Sequence, residues 1–271
     1  MVENQVAPTC TVAGSYDSVV YCSVCNAEIS RETVAVDALG HTEEILPAVE
    51  ATCTTDGLTE GKKCAVCNEI LVAQEVIPAL GHDWKGTGCT KCDATRENPF
   101  TDVPEDSFFI DPVLWAAENG ITTGTTATTF DPNGTCLRGH VVTFLWRAMG
   151  SPEPVTTANP FDDVKPGDYF YKAVLWAYEN GITTGIDATH FDPTGVCNRA
   201  QVVTFLWRAM GKPESSAQVD FTDVQPGQFY STAVAWAVEK GITNGMGDGT
   251  FGVGSNCNRA QVVTFLYRTL A

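Results

Sequence analysis

Residues 198–211 read NRAQVVTFLWRAMG, and this stretch decides the fold because close copies of it recur elsewhere in the chain. Asn198 is of a type that caps helices, and Gln201 can reach back to the main chain of Asn198 as in a capping box. Apolar residues then follow at the spacing of one helix face, at 202, 203, 205, 206, 209 and 210. The stretch therefore predicts an amphipathic helix that packs against another element.

A repeat of about 60 residues surrounds this helix. The other copies of the helix end in VVTFLWRAMG at 141–150 and VVTFLYRTL at 262–270, and the first copy starts with Leu137 and His140 in place of Asn and Gln. An opening Phe-x-Asp-Val, a tryptophan and a Gly-Ile pair precede each helix at nearly constant distances. These landmarks are Phe100, Phe161 and Phe221, then Trp115, Trp176 and Trp236, then Gly120, Gly181 and Gly241. Each copy predicts one helix-loop-helix unit.

The first helical segment of the middle copy, residues 170–180, is apolar at almost every position and ends before Gly181. A helix that is hydrophobic on all sides must be surrounded by protein. Three such helices, one from each unit, would cover one another at a pseudo-threefold axis. The predicted fold class is mainly α: a pseudo-trimeric, three-repeat helix-loop-helix domain preceded by small β-hairpin-rich Cys/His repeats.

The order of motifs in residues 100–271 resembles the S-layer homology (SLH) domain of bacterial surface proteins. The shared features are the Phe-x-Asp-Val opening, the aromatic-rich first helix ending in Gly-Ile-Thr, the Phe-x-Pro segment, and the Arg-Ala start of the second helix. The resemblance implies a pseudo-trimeric spindle that attaches non-covalently to secondary cell wall polymer, an anionic glycan linked to peptidoglycan and typically pyruvylated. It implies anchoring and no enzyme activity.

Arginines at the start of the second helices are the candidate ligand-binding residues, because that arginine contributes to binding in grooves between SLH repeats. A glycine loop of the family is approximated in each copy. Apart from the family, a guanidinium in the first turn lies beside free N–H groups and the positive end of the helix dipole, which favours a carboxylate. The alternative is pairing with an acidic neighbour such as Asp163 or Asp223. The candidates are Arg138, Arg199, Arg259, Gly124, Gly185 and Gly245.

The eleven cysteines fall into two groups. Cys136, Cys197 and Cys257 stand at one position per helical unit, and we interpret them as small buried hydrophobic residues, too far apart to pair. The other eight lie in residues 10–92, where Cys-x2-Cys pairs recur with a further Cys and a His, the ligand types of structural Zn²⁺. The predicted structural zinc sites are Cys10, Cys22, Cys25, His41 and Cys53, Cys64, Cys67, His82.

Two alternatives to these zinc sites remain open. A shifted register would join Cys22, Cys25, His41 and Cys53, and then Cys64, Cys67 and His82 with Cys89 or Cys92. Disulfide bonding is the other, since an exported chain meets an oxidising space. Zinc is favoured because the two histidines recur at ligand spacing and three cysteines cannot pair within one repeat. Cys89 and Cys92 lack a complete ligand set and could form a local bridge or stay free.

The spacing of the repeats sets the predicted domain boundaries. Residues 1–45 form the first Cys/His repeat, and residues 46–97 form the second with a truncated third. Three helical units follow at 98–156, 157–216 and 217–271.

Charge and missing motifs exclude several functions. Sixteen basic and 33 acidic side chains give a formal net charge of −17, which repels nucleic acid and anionic membranes. No apolar run approaches the roughly 18 residues of a membrane-spanning helix, and no HExxH, GxSxG, Walker or GxGxxG motif appears. We expect an extracellular, cell-wall-bound chain whose export signal is absent from this sequence. The alternative function is a protein-interaction or surface-lattice module, which predicts self-association.

Overall fold

The computed structural model describes all 271 residues and divides into two compact units. The Cys/His unit holds residues 1–83 with 89–93, and the helical unit holds residues 84–88 with 94–271. All ten strands lie before residue 90, and all six helices lie after residue 109. The six helices and the small antiparallel sheets before them agree with the predicted arrangement, although the chain as a whole is not clearly mainly α because residues 1–97 contain strands and turns but no helix.

Ten antiparallel strands lie in residues 2–89. The strands are β1 (Val2–Val6), β2 (Gly14–Tyr21), β3 (Glu28–Val36), β4 (Glu43–Leu46), β5 (Gly57–Leu58), β6 (Gly61–Cys64), β7 (Ile70–Val72), β8 (Val76–Ile77), β9 (Trp84–Lys85) and β10 (Gly88–Cys89). One sheet has the order β1-β2-β3, a second has the order β4-β6-β7, and β5 pairs with β8. The first two sheets repeat one arrangement, with a Cys-x2-Cys turn between the second and third strands.

Six helices make up the helical unit, two from each repeat. They are α1 (Ile110–Glu118), α2 (Arg138–Ala148), α3 (Tyr171–Glu179), α4 (Arg199–Ala209), α5 (Ser231–Glu239) and α6 (Arg259–Leu270). The predicted capping box is confirmed in α4, where the Asn198 side chain accepts from the Gln201 N–H at 2.9 Å and the Gln201 side chain accepts from the Asn198 N–H at 3.1 Å. In α2, His140 Nδ1 accepts from the Leu137 N–H at 3.3 Å instead.

The second helices, and not the first, meet around the pseudo-threefold axis. Helices α2, α4 and α6 contact one another, while α3 packs on α2, α5 on α4 and α1 on α6. The predicted meeting of the first helices is therefore wrong. The Val-Val-Thr-Phe-Leu segment of each second helix is buried at all five positions, as contact with both neighbouring second helices requires. Every first helix thus covers the second helix of another repeat.

The three cysteines that precede the second helices lie together at this axis. The Cys136 N–H donates to the Cys257 carbonyl, the Cys197 N–H to the Cys136 carbonyl, and the Cys257 N–H to the Cys197 carbonyl, each at 3.0 Å. The expectation that they are far apart is wrong, because short bridges between the repeats draw the chain together just before each second helix. They remain free, buried thiols, and burial raises the pKa of Cys136 to about 12.

The aspartate of each Phe-x-Asp-Val opening holds the loop that precedes the second helix. Asp223 accepts from the main-chain N–H groups of Phe251, Gly252 and Val253 at 2.7, 2.8 and 2.9 Å. The equivalent aspartates of the other repeats accept two such bonds each. These carboxylates are therefore occupied by the protein's own backbone.

We expect Asp223→Asn to destabilise the helical unit by about 2–3 kcal/mol, because the amide keeps one acceptor oxygen but turns an NH2 group towards N–H donors. Burial raises the pKa of Asp223, but the N–H groups outweigh burial and leave this pKa below its ordinary value. The stabilisation is therefore present above the unfolded pKa of about 4 and is lost as the pH falls through the folded pKa.

Urea unfolding at neutral pH measures this loss of stability. The exposed Asp220→Asn removes the same charge and is the matched control. Equal losses of stability in the two variants would contradict the prediction.

Candidate ligand-binding grooves and metal centres

Three grooves lie between the repeats of the helical unit, and equivalent positions line each of them. Each contains an arginine from the start of one second helix, the glycine loop and second helix of another repeat, and an aromatic ring from the remaining repeat. Groove 1 contains Arg259, Gly124, Arg147 and Tyr169; groove 2 contains Arg138, Gly185, Arg208 and Phe229; groove 3 contains Arg199, Gly245, Arg268 and Phe108. Their volumes are about 370, 420 and 340 Å³.

The structure brings every predicted arginine to a predicted glycine, but across repeats. Arg138 of the first repeat meets Gly185 of the second, and Arg259 of the third closes the ring at Gly124 of the first. The glycines are required at these loops because Gly124 has a φ of +82° and a Cβ there would lie 2.4 Å from the Thr129 carbonyl oxygen. Each arginine–glycine pair therefore depends on two consecutive repeats of the ring, and the aromatic ring of the same groove comes from the third.

The arginines at the start of the second helices are buried and do not pair with carboxylates. Arg199 Nε donates to the Phe251 carbonyl at 2.9 Å, and its guanidinium lies 5.0 Å from the centre of the Phe251 ring. Arg138 and Arg259 make the same bond to a phenylalanine carbonyl in another repeat. Pairing with Asp163 or Asp223 does not occur, because both carboxylates bind main-chain N–H groups.

The sequence predicted that free main-chain N–H groups add to the positive charge of these arginines, and this part of the prediction does not hold. The N–H of Arg199 is not free at the helix start but donates to the Ser255 carbonyl at 2.9 Å, and the other two arginines are held in the same way. The unsatisfied donors are on the side chains: Nη2 of Arg138 and Nη2 of Arg259 are buried and have no hydrogen-bond partner. Arg199 Nη2 donates to Thr243 Oγ1 at 3.2 Å.

Burial lowers the pKa of all three arginines from its ordinary value. A guanidinium nevertheless stays charged in proteins, because its ordinary pKa is above about 12. Each groove wall therefore carries a fixed positive charge that makes no salt bridge to a carboxylate of the protein.

Sequence reasoning missed a second arginine and an exposed aromatic ring in each groove. Nη1 of Arg147, Arg208 and Arg268 donates to an isoleucine carbonyl at 3.2, 3.0 and 3.0 Å. The rings of Phe108, Tyr169 and Phe229 are 71%, 58% and 56% exposed. Both features recur once per repeat, so the recurrence that singled out the first arginines could also have found these.

Two clusters of three cysteines and one histidine lie in the Cys/His unit. The ligand atoms of each cluster lie within 4.8 Å of one another, and the clusters are Cys10, His41, Cys64, Cys67 and Cys53, His82, Cys89, Cys92. The Sγ atoms of Cys10 and Cys64 are 3.7 Å apart, and Cys67 Sγ lies 3.5 Å from His41 Nδ1. Bonded sulfurs would be about 2.05 Å apart, whereas two sulfurs on one tetrahedral zinc ion are roughly 3.8 Å apart. These spacings fit a shared metal ion and not a disulfide.

The ligand register differs from both registers considered from the sequence. Each cluster takes a Cys and a His from one repeat and the Cys-x2-Cys pair from the next, so Cys22 and Cys25 belong to neither. In the first repeat, β3 begins just after the Cys22–Cys25 turn, and its nine residues carry the chain about 30 Å away before His41. Pairing of β4 with β6 then places Glu43 opposite Cys64, which brings His41 to the following turn. Cys89 and Cys92 complete the second cluster.

Two thiols of the first cluster, those of Cys10 and Cys64, differ in pKa because one is desolvated and the other accepts main-chain hydrogen bonds. Burial raises the pKa of Cys10 to about 11. The main-chain N–H of Cys67, donating to the Cys64 sulfur, is the largest effect on Cys64 and lowers its pKa to about 5. Beyond the ligands, His41 Nε2 lies 3.5 Å from a Glu69 carboxylate oxygen, the kind of partner that orients metal-binding histidines. The donor set therefore suits a cation that prefers thiolate and imidazole.

The groove-forming repeats match a known protein family. A family model for the S-layer homology domain matches residues 99–142, 160–203 and 220–263, one match in each helix-loop-helix repeat. Residues 99–263 are three tandem S-layer homology domains. The SLH resemblance seen in the sequence is confirmed, and the SLH part of the chain is a binding module.

Relatives that share this SLH region include an enzyme and two surface proteins. An amylopullulanase of Thermoanaerobacterium thermosulfurigenes is 27% identical over 180 residues, which cover 64% of this chain and 10% of that protein. A surface-layer 125 kDa protein of Lysinibacillus sphaericus is 26% identical over 67% of this chain and 15% of its own length. A cell surface protein of Thermoanaerobacter kivui is 32% identical over 41% of this chain and 15% of its length. The chain thus spans a small part of these relatives.

None of the helices in this structure is both long enough and apolar enough to cross a bilayer.

Groove 1 of the SLH region differs from the other two in carrying His140, where grooves 2 and 3 have Gln201 and Gln261. The His140 ring stacks on the Tyr169 ring at 6.0 Å between centres. Burial, and then the charge of Arg259, lowers the pKa of His140. The hydrogen bond from the Leu137 N–H also requires His140 Nδ1 to be unprotonated. Groove 1 is therefore built around a neutral imidazole.

We expect His140 to make the SLH region less stable at acidic pH. Because its folded pKa is lowered, the stabilisation is complete above the unfolded pKa of about 6.5 and is lost as the pH falls through the folded pKa. The other charged or titratable groups lining groove 1 are Arg147, Arg259, Asp131 and Tyr169. His140→Gln gives the first repeat the glutamine that the other two repeats have at this position, and it should make the melting temperature depend less on pH.

Melting temperatures measured by circular dichroism from about pH 7 to about pH 5 check this expectation. His190→Gln is the control with the opposite sign, because Asp187 raises the pKa of His190 and its stabilisation is lost as the pH rises. An unchanged pH dependence in His140→Gln would show that the imidazole has no such role.

Proposed function

We propose that the three SLH domains anchor this chain to the outside of a bacterial cell by binding an anionic secondary cell wall polymer. The observation that carries this proposal is the pair of buried Nη2 groups, on Arg138 and Arg259, that have no partner in the walls of grooves 2 and 1. Burying a charged donor without a partner costs free energy, because the lost hydration is not replaced. A carboxylate in the groove would supply the missing hydrogen bonds.

The grooves fit a pyruvylated sugar in charge and in surface. Two arginines in each groove can bind the carboxylate of a pyruvate ketal, and hydrogen bonds between two charged groups are roughly twice as strong as those between neutral groups. The exposed ring of Phe108, Tyr169 or Phe229 offers an apolar surface for the face of the sugar. Because the whole chain carries a net charge of −17, only such a local site would attract a polyanion.

Binding without catalysis is supported by the engagement of the nearby acids. The opening aspartates Asp102, Asp163 and Asp223 all accept main-chain hydrogen bonds. A glycosidase needs two carboxyl groups free to face the scissile bond. We therefore propose a non-enzymatic anchor.

For the Cys/His unit we propose two structural zinc ions, one in each cluster of three thiolates and one imidazole. Four protein ligands leave no position for a reacting water, so the sites would stabilise and not catalyse. The Cys/His unit has almost no hydrophobic core. Before Phe100 the only buried apolar side chains are those of Val19 and three cluster cysteines. Metal-ligand bonds would supply the stability that this small core lacks.

Co-sedimentation with purified cell wall sacculi tests the anchoring proposal. One sample of sacculi is left intact, and a matched sample is treated with mild acid to hydrolyse the pyruvate ketals. We expect the protein to pellet with intact sacculi and to stay in solution with treated ones. Equal binding to both would overturn the proposed ligand, and pelleting without sacculi would indicate the self-association that the alternative function predicts.

A further inference from the structure

Cys22 and Cys25 lie outside both metal clusters, yet their turn has the same build as the turn of Cys64 and Cys67. The Cys22 N–H donates to the Ala27 carbonyl at 2.8 Å, and the Asn26 N–H donates to the Cys22 carbonyl at 2.9 Å. In the other turn the Cys64 N–H donates to the Glu69 carbonyl at 2.8 Å, and the Asn68 N–H to the Cys64 carbonyl at 2.9 Å. The two turns therefore have the same main-chain hydrogen bonds at equivalent positions.

The match extends to backbone conformation and to the sulfur atoms. Asn26 has a φ of 58° and Asn68 a φ of 61°, so each turn closes with an asparagine in the left-handed region. Main-chain N–H groups of Val24 and Cys25 donate to the Cys22 sulfur, as those of Val66 and Cys67 do to the Cys64 sulfur. Such bonds favour the thiolate of the first cysteine in each turn, and in the second turn that cysteine belongs to a metal cluster.

We propose that Cys22 and Cys25 form a third metal site, a half-site that binds a thiophilic divalent cation such as Zn²⁺ through two thiolates. Each thiol loses its proton to solvent when the cation binds. A cavity of about 350 Å³ adjoins the turn and is lined by Met1, Tyr21, Cys22 and Asn26 among others, which leaves room for further ligands. This proposal rests on the proposed zinc sites of the other two clusters.

The two open positions of the half-site have a defined chemistry. In the other clusters, the Cys-x2-Cys pair is completed by a Cys and a His from the preceding repeat, namely Cys10 with His41 and Cys53 with His82. Those two Cys–His pairs are already used, and residues 1–97 contain no other histidine. The half-site is therefore suited to a thiolate and an imidazole that come from outside residues 1–97.

Metal analysis of the full chain tests the half-site. Reduced protein is loaded with Zn²⁺, freed of excess metal by gel filtration, and its mass is measured under native conditions. We expect about three ions in the wild-type chain and about two in Cys22→Ser/Cys25→Ser, with the third ion lost first to a weak chelator because it has only two protein ligands. Imidazole with a monothiol, added together, should slow this loss in the wild-type chain.

The control is Cys64→Ser/Cys67→Ser, which makes the same change at the equivalent turn and should lose a chelator-resistant ion. Two ions in the wild-type chain, unchanged in Cys22→Ser/Cys25→Ser, would overturn the half-site and leave the zinc clusters standing. A Cys22–Cys25 disulfide in freshly purified protein that holds two ions would also overturn it. A wild-type chain that binds no ion would refute both proposals.

Discussion

Replacing Arg147, Arg208 and Arg268 together by glutamine should lower the affinity for cell wall polymer by more than about 100-fold. Each substitution removes one charged donor from a groove, and a hydrogen bond to a charged group contributes about 1.5–3 kcal/mol. Since the polymer can engage several grooves at once, losses in the three grooves multiply. These arginines are partly exposed and lie near the ends of their helices, so the fold should survive their replacement.

The matched control removes the same charge outside the grooves, by replacing the exposed Lys165, Lys172 and Lys240 with glutamine. Sacculus binding at several protein concentrations gives the affinities, and thermal unfolding confirms the fold of both variants. We expect the lysine variant to bind within about threefold of wild type, because exposed charges act weakly at physiological salt. Equal losses in the two variants would mean that overall charge, and not the grooves, governs binding.

Cys67→Ser should unfold the Cys/His unit, while Cys25→Ser should leave it folded. The two cysteines occupy equivalent positions in turns with the same hydrogen bonding, and both are exposed. Only Cys67 belongs to a four-ligand cluster. Losing one zinc site from a unit whose core is so small should cost about 5 kcal/mol or more, because structural zinc contributes its binding free energy to folding.

Hydrogen exchange of each unit, read separately by mass spectrometry, measures this difference. In Cys67→Ser, amides of β4, β6 and β7 should exchange freely, while those of α2, α4 and α6 keep their protection. A chelator added to the wild-type chain should reproduce the pattern. Equal protection of the Cys/His unit in Cys25→Ser and Cys67→Ser would contradict the proposed metal clusters.

Local features of the helical unit could be predicted from the sequence because they depend on neighbours along the chain. The capping boxes at Asn198 and Asn258 follow from two side chains three residues apart. The partners of each helix could not be predicted in this way, because periodicity shows which face of a helix is buried but not what covers it. The swapped pairing, with α3 on α2 and α1 on α6, depends on closure of the whole ring.

In the candidate site, too, the residues could be predicted from the sequence but their partners could not. Recurrence along the chain identified Arg138 and Gly185, but only the fold shows that an arginine of one repeat meets a glycine of the next. The metal register failed for a related reason: spacing was counted along the chain, while β3 carries His41 away from Cys22 and Cys25. The β-branched residues of Glu28–Val36 were the available sign of a strand, and a strand of this length separates His41 from Cys22 and Cys25 in the first predicted set.

A titration of labelled protein with one sugar, in pyruvylated and unmodified form, tests most directly whether the SLH grooves hold an acidic glycan. Nuclear magnetic resonance would follow the Nε–Hε signals of the groove arginines, with Arg31 of the Cys/His unit as an internal reference. The pyruvylated form should shift the signals of arginines such as Arg208 and Arg259, and the unmodified form should leave them in place. Shifts of equal size with both forms, or shifts confined to residues outside the grooves, would contradict binding through the guanidinium pairs.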